Sequence, residues 1–141
     1  MTGDAAPAPV PVPDEESGPF WAGLGEGRIV LQACPACGRR RFPRMPACPY
    51  CGAEGGSDVE SPGTGTVYSW VRVQRVLTPA MAGQVPYCIA TVDLDGGGRM
   101  HGRLEPASEA RIGLRVEPRF VPHDGWTELR FGAAAAGEAF P

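Results

Sequence analysis

The chain has 141 residues, enough for one modest domain or two small ones, and no apolar stretch approaches the length that crosses a membrane. Its 20 glycines and 16 prolines favour short strands and many turns over long helices. The formal net charge is −3, so bulk charge does not favour binding of the whole chain to a polyanion.

Residues 1–17 have the composition of a disordered tail. The run Ala-Pro-Ala-Pro-Val-Pro-Val-Pro at residues 6–13 cannot form a helix and has little to bury. The N-terminus lacks the basic region and apolar run of a signal peptide. We therefore predict a cytoplasmic, reducing location, in which disulfides are disfavoured.

A short helical arm is predicted over residues 18–27. Pro19 suits the first helical position, and Gly23 or Gly25 would end the helix early. Phe20 and Trp21 are too large for so short a segment to bury by itself. We expect them to pack on the body of the protein, with packing on a partner as the alternative.

Two matched cysteine turns define the next segment, residues 28–60, which begins with a predicted strand at 29–33. The turns are Cys34-Pro35-Ala36-Cys37-Gly38 and Cys48-Pro49-Tyr50-Cys51-Gly52. Four thiolates with this spacing are typical of a closed tetrahedral zinc site, which stabilises structure and leaves no position for water or substrate. The glycine after each pair lets backbone amides approach the sulfur atoms.

We therefore predict structural zinc on Cys34, Cys37, Cys48 and Cys51. Iron in a rubredoxin-like site is the main rival metal. Disulfides fit a reducing compartment poorly, and a redox dithiol would need one such turn rather than two.

Five arginines and no carboxylate lie between residues 27 and 53, and four of them (Arg39, Arg40, Arg41 and Arg44) separate the two cysteine turns. One interpretation is a solvated surface around a small metal module. The other is a basic patch that contacts the phosphates of nucleic acid or of a cofactor such as coenzyme A.

Residues 61–132 have the pattern of a small β domain. Five strands are predicted, at 66–76, 87–94, 99–104, 114–121 and 127–131, with a glycine-rich hairpin turn at 95–98. In the first strand, alternation places Val67, Val71 and Val73 on one face. Pro118 requires a sheet edge or a bulge. An OB-fold barrel fits the strand count, while an SH3-like barrel and an open sandwich stay possible. Residues 133–141 are predicted to be a loose tail.

No residue has the setting of a nucleophile beside an activating base. His101 and His123 are the only histidines, and an isolated histidine is usually a surface or packing residue. Cys88 lies in an apolar strand and is expected to be buried and inert. We predict no catalytic residue, and a stand-alone enzyme that uses His101 or His123 is a weaker hypothesis.

A zinc ribbon joined to an OB-fold is also compatible with a second function, the binding of single-stranded nucleic acid. Tyr68, Trp70 and Tyr87 are candidate stacking residues, and Arg72, Arg75 and Arg103 would supply positive charge. The nearly neutral body disfavours this alternative, because a nucleic-acid binder of this size is usually more basic.

A set of motifs in fixed order carries a resemblance to a known family over residues 20–132. In order they are Phe20-Trp21, Glu26-Gly27-Arg28, the first cysteine turn after Leu31-Gln32-Ala33, Phe42-Pro43-Arg44, the second cysteine turn, Gly63-Thr64-Gly65-Thr66-Val67-Tyr68-Ser69, Val85-Pro86-Tyr87, Ile112-Gly113 with Val116, and Leu129-Arg130-Phe131. The chain resembles the DUF35-type zinc-ribbon and OB-fold proteins associated with acyl-CoA metabolism and thiolase-like enzymes.

The resemblance implies a mainly β protein with a short N-terminal helical arm, a rubredoxin-like zinc ribbon and a C-terminal five-stranded OB-fold barrel. It implies a non-catalytic accessory subunit that binds acyl-CoA, a thiolase-like partner, or both. The partner would be a thiolase, aldolase, acyltransferase or hydratase of lipid, steroid or polyketide-type metabolism. Phe20, Trp21 and the arginines Arg39, Arg40, Arg41 and Arg44 are the candidate contacts with partner or acyl-CoA.

Overall fold

The structure, a computed structural model, describes residues 9–135, which form one α-helix and eight strands. In chain order these are α1 (Gly18–Gly25), β1 (Ile29–Ala33), β2 (Arg40–Arg41), β3 (Ser57–Ser61), β4 (Gly65–Val73), β5 (Tyr87–Leu94), β6 (Arg99–Glu105), β7 (Arg115–His123) and β8 (Trp126–Ala133). Single 3-10 turns lie at Pro79–Met81 and Ala107–Glu109. Within this part of the chain no helix is long and apolar enough to span a membrane.

The predicted tails are only partly covered by these residues. Residues 1–8 and 136–141 lie outside the described part of the chain. Residues 9–14 have no regular secondary structure, and residues 15–17 form a turn that leads into α1.

The helix α1 begins where the sequence provides a start signal and ends after two turns. The backbone N–H of Ser17 donates to Asp14 Oδ1 at 2.7 Å, and Pro19 occupies the first turn. The backbone N–H of Glu26 donates to the Gly23 carbonyl at 2.9 Å and closes the last turn. A Cβ on Gly23 would lie 2.7 Å from Val30 Cγ2, so a glycine is needed for α1 to approach β1 this closely.

A three-stranded antiparallel sheet with the order β2-β1-β3 forms the ribbon. The strand β3 was not predicted, because Val59 is its only apolar residue and local alternation is therefore weak. It forms because all five residues of β1, from Ile29 to Ala33, pair with it in register. Non-local backbone pairing thus overrides a poor local strand signal.

The last five strands close into a barrel with the order β4-β5-β6-β8-β7. Neighbouring strands are antiparallel except β6 and β8, which are parallel. The predicted five-stranded OB-fold is confirmed, and closure excludes the open sandwich. Pro118 lies on β7 beyond Val116, the last β7 residue that pairs with β4, so it occupies an open edge as predicted.

The expected faces of β4 are wrong because of a bulge. Tyr68 has no partner on β5, and the register shifts between Val67, which pairs with Val92, and Ser69. One extra residue exchanges the two faces of a strand. Val67 is 1% exposed as expected, but Val71 turns outward and is 59% exposed. The strand also ends at Val73 rather than at residue 76.

The arm, the ribbon and the barrel share one hydrophobic core. Phe20 and Leu24 come from α1, Ile29 and Leu31 come from β1, and the barrel contributes the larger remainder around Phe131. A Cβ on Gly98 would lie 2.9 Å from Leu31 Cδ1, so the β5–β6 hairpin packs directly on the ribbon. The ribbon is therefore part of the barrel's core rather than a tethered module.

Candidate metal centre and binding surfaces

The four predicted cysteine ligands lie together at one end of the ribbon. Their sulfur atoms are all within 4.8 Å of one another. The Sγ atoms of Cys34 and Cys51 are 3.6 Å apart, and those of Cys37 and Cys48 are 3.7 Å apart. Zinc–sulfur bonds of about 2.3 Å in a tetrahedron place sulfur atoms about 3.8 Å apart. The donor set and its spacing therefore fit zinc.

Backbone amides in each cysteine turn point at the first sulfur. The N–H groups of Ala36 and Cys37 donate to Cys34 Sγ, and the N–H of Tyr50 donates to Cys48 Sγ, each at 3.4 Å. The glycines that follow, Gly38 and Gly52, have φ angles of 75° and 82°, which only glycine adopts without strain. These features explain why the sequence has a glycine after each pair.

The electrostatics of the cluster favour a bound cation. The backbone N–H of Cys37, aided by that of Ala36, lowers the pKa of the Cys34 thiol to about 6, although burial opposes this effect. The backbone N–H of Ala53 acts to lower the pKa of Cys51, yet the adjacent Cys34 sulfur raises it to about 11. Four thiolates so close together repel one another, and a bound divalent ion removes that repulsion.

Two of the arginines around the ribbon are neutralised by carboxylates that lie outside residues 27–53. Arg28 donates to Glu26 at 2.6 Å and to Glu60 at 3.3 Å. Arg44 forms an ion pair with Asp58 of β3. Four thiolates on one Zn²⁺ also leave two negative charges beside the remaining arginines. The patch is therefore less basic than the count of arginines in the sequence indicates.

Arg41 supports the fold of the ribbon and is only 3% exposed. Its Nη2 donates to the carbonyls of Met45 at 3.0 Å and Gly55 at 2.7 Å. The buried Gln32 accepts a hydrogen bond from the Met45 N–H at 2.9 Å. This placement makes Arg41 a poorer candidate than Arg39 or Arg40 for a contact with phosphate or a partner. This structural role of Gln32 was not predicted from the sequence. The pattern that could have indicated it is a single polar residue inside the apolar run Ile29–Ala33.

Arg39 and Arg40 line a cleft of about 450 Å³ between the first cysteine turn and the β5–β6 hairpin. Arg39 stacks over the Tyr50 ring at 4.6 Å, and Arg40 Nη1 donates to the Glu60 carbonyl at 3.3 Å. No carboxylate within residues 9–135 forms an ion pair with either arginine. The backbone of residues 96–98, three glycines, also lines the cleft, and the Arg40 side chain packs against it: a Cβ on Gly96 would lie 3.1 Å from Arg40 Nη1.

Phe20 and Trp21 anchor the arm on the body of the protein. Phe20 is 8% exposed, with its ring centroid 4.9 Å from that of Phe42. The Trp21 ring meets Trp126 of β8 edge to face at 6.0 Å. Phe20, Trp21, Arg41 and Arg44 line one mostly apolar cleft of about 250 Å³, so the structure brings these four predicted contact residues together.

The outer face of the barrel has a groove of about 400 Å³ where OB-folds commonly bind ligands, and both histidines line it. Thr91 Oγ1 and His101 Nδ1 are hydrogen-bonded at 3.0 Å, and His123 Nε2 lies 2.8 Å from Glu128. Burial acts to raise the pKa of Glu128, yet hydrogen bonds from Arg130 and His123 lower it overall. Each histidine is thus hydrogen-bonded to a neighbouring side chain, His101 to Thr91 and His123 to Glu128.

The structure weakens two of the expectations for nucleic-acid binding. Tyr87 is only 9% exposed, and Arg103 covers its ring at 4.5 Å. Arg103 also donates to Gln84 at 2.7 Å. Cys88 is 1% exposed in the same strand, as expected of an inert thiol.

Family models match most of the described chain. A model described as "ChsH2, rubredoxin-like zinc ribbon domain" matches residues 21–55, and one described as "ChsH2, C-terminal OB-fold domain" matches residues 58–121. The zinc ribbon with four cysteines arranged for structural zinc is thereby confirmed.

Two curated relatives differ in how much of their length this chain covers. A DUF35 domain-containing scaffold protein of Methanocaldococcus jannaschii is 31% identical over 111 residues, which are 74% of this chain and 78% of the relative. A probable enoyl-CoA hydratase alpha subunit of Thermomonospora curvata is 39% identical over 82 residues, or 57% of this chain. That match spans only 25% of the hydratase subunit.

A solved structure named "Ltp2-ChsH2(DUF35) aldolase" contains a chain with the same fold. Its TM-score to this chain is 0.76 at 30% identity, and the match covers 89% of this chain and 100% of the other. The zinc ribbon, the barrel and their relative placement are thus shared with a subunit whose printed name associates it with an aldolase.

Proposed function

This chain belongs to the DUF35 family of zinc-ribbon and OB-fold proteins, and from that membership we propose that it is a non-catalytic accessory subunit of a thiolase-like enzyme. The observation that carries the proposal is the match to the whole ChsH2(DUF35) chain of the aldolase structure. The closed metal site agrees with it, because four thiolates leave no coordination position for a substrate.

The partner proposed for this chain is a thiolase-like or aldolase-like protein that supplies the catalytic residues. A hydratase subunit is a further partner class, since a hydratase relative contains a matching segment. An acyltransferase of a polyketide-type pathway fits the same role. We place the complex in lipid, steroid or polyketide-type metabolism in the cytoplasm, where the zinc ligands stay reduced.

Co-expression with thiolase-like proteins encoded beside this chain tests the assignment. We expect a complex that survives size-exclusion chromatography, and we expect the activity of the partner on acyl-CoA to require this chain. If each candidate is fully active alone and elutes separately from this chain, the assignment is wrong. If the purified chain turns over acyl-CoA by itself, the stand-alone enzyme hypothesis replaces it.

We further propose that Arg39 and Arg40 bind the phosphates of an acyl-CoA. Both line the cleft beside the first cysteine turn, and neither is neutralised by a carboxylate within residues 9–135. Arginine forms strong charge-assisted hydrogen bonds to phosphate oxygens. Arg44 and Arg41 are poorer candidates, because one is paired with Asp58 and the other is buried.

Calorimetric titration with coenzyme A tests this contact. We expect Arg39→Ala or Arg40→Ala to raise the Kd about tenfold, the loss of one charge-assisted hydrogen bond. Arg111→Ala, an exposed arginine outside the cleft, is the matched control and should bind as the unchanged chain does. Equal affinity in all four proteins would contradict the phosphate contact. Tight, steeply salt-dependent binding of single-stranded oligonucleotides would instead favour the nucleic-acid alternative.

A further inference from the structure

Exposed apolar side chains concentrate on β4 and the loop that follows it. Nine large hydrophobic residues within residues 9–135 are exposed, and five of them form what we term the β4 patch: Tyr68, Trp70, Val71, Val76 and Leu77. Val71 and Leu77 are 59% and 66% exposed. A cluster of this kind is uncommon on a protein that acts alone and marks a site of interaction.

The same strand has an unpaired edge. On one side β4 pairs with β5 from Gly65 to Val73, except at the bulge at Tyr68. On the other side it pairs with β7 only at Gly65 and Thr66, and backbone bonds with the 113–114 segment end at Val67. From Tyr68 to Val73 no strand of residues 9–135 covers this edge. An open edge with apolar neighbours is a template for an added strand.

The charged side chains of β4 and of the loop after it are all arginines. No aspartate or glutamate occurs between residues 66 and 92. Arg72 and Arg75 are exposed, and no carboxylate within residues 9–135 forms an ion pair with either. The surface therefore complements a segment that carries apolar side chains and flanking carboxylates.

We propose that the β4 patch docks an extended segment of the thiolase-like partner, which adds a strand to the open edge of β4. Its apolar side chains would cover Val71 and Leu77, and its aspartates or glutamates would pair with Arg72 and Arg75. The inference rests on the proposed function, since it assigns the face that the partner occupies. A second copy of this chain is disfavoured as occupant, because it would bring the same arginines of both copies together.

The test uses the full chain co-purified with its thiolase-like partner. In the double variant Val71→Glu with Leu77→Glu, we expect the Kd for the partner to rise about thirtyfold, as for loss of a central interface contact. Val12→Glu is the matched control, because Val12 is 88% exposed and lies outside the β4 patch. Both proteins should unfold at the temperature of the unchanged chain. In the complex, the amides from Tyr68 to Val73 should gain protection from hydrogen exchange.

The possible outcomes separate this inference from the proposed function. If the unchanged chain and the double variant bind the partner equally, the docking face is wrong while the accessory role stands. If the unchanged chain binds no thiolase-like protein, the accessory role and this inference both fall. If the isolated chain forms a dimer that Val71→Glu dissolves, a second copy occupies the face and the inference is overturned.

Discussion

The indole rings of Trp21 and Trp126 meet edge to face, with centroids 6.0 Å apart and planes at 79°. Trp21 belongs to α1, whereas Trp126 begins β8 and stacks on His123 at 4.4 Å. This contact packs α1 against the barrel next to the turn between β7 and β8. These aromatic groups thus stabilise the subunit itself.

A double-mutant cycle measures this contact. Trp21→Ala alone should lower the free energy of unfolding by about 2 kcal/mol, because a half-buried indole loses its packing. The coupling energy with Trp126→Ala should be about 1 kcal/mol, typical of an aromatic pair. Chemical denaturation of the four proteins provides both values. A coupling energy of zero would mean that the rings touch without stabilising the arm.

Removal of one zinc ligand should unfold the ribbon. We expect Cys34→Ser to lose bound zinc and on the order of 10 kcal/mol of folding free energy, because the remaining thiolates no longer close a tetrahedron. Atomic absorption provides the zinc content, and circular dichroism provides the folded fraction. Cys88→Ala, which changes the remaining cysteine, should retain one zinc ion. A folded and metal-replete Cys34→Ser protein would contradict a structural role.

Arg41 and Arg39 should differ in their contribution to stability. Arg41→Ala leaves the carbonyls of Met45 and Gly55 without their donor in a buried site, and should cost about 3 kcal/mol of unfolding free energy. Arg39→Ala should change it by less than about 0.5 kcal/mol, as for most exposed sites. Thermal unfolding of both variants tests the difference. If Arg41→Ala lowers the unfolding free energy as little as Arg39→Ala is expected to, Arg41 is dispensable for the ribbon.

Acid should weaken the contact between Asp95 and Arg115. Hydrogen bonds from Arg115, opposed by burial and aided by Thr64, lower the pKa of Asp95 from 3.8 to about 2. A lowered pKa in the folded state stabilises the protein above pH 4, and the contribution disappears as the pH falls towards 2. Because Asp95 is 41% exposed, we expect only about 1 kcal/mol.

Asp95→Asn removes this titrating group and serves as the comparison. Its unfolding free energy should lie below that of the unchanged chain at pH 6, and the gap should close near pH 2. Denaturation curves across this range provide the measurement. A gap that is constant with pH would mean that the ionised carboxylate makes no net contribution.

Local signals in the sequence were sufficient for the metal site and for most strands. Each cysteine turn contains, within five consecutive residues, two zinc ligands and the glycine that its backbone needs. The spacing and the glycine therefore predict the ligands directly. The strands β5 and β6 were predicted closely, because alternation and the glycine-rich turn at residues 95–98 are also local. The strand β3 escaped prediction because it depends on β1, which lies more than twenty residues earlier.

The amino-acid sequence alone was enough to predict the four zinc ligands, the five strands of the barrel and the absence of carboxylates from residues 66–92. Which side chains are available at the surface depends on the three-dimensional packing. It buried Arg41 and left Arg39 exposed, although the two are close neighbours in the chain. It also turned Val71 outward through the bulge at Tyr68. The reason is physical, since burial and register depend on contacts between residues far apart in the chain, which local spacing does not encode.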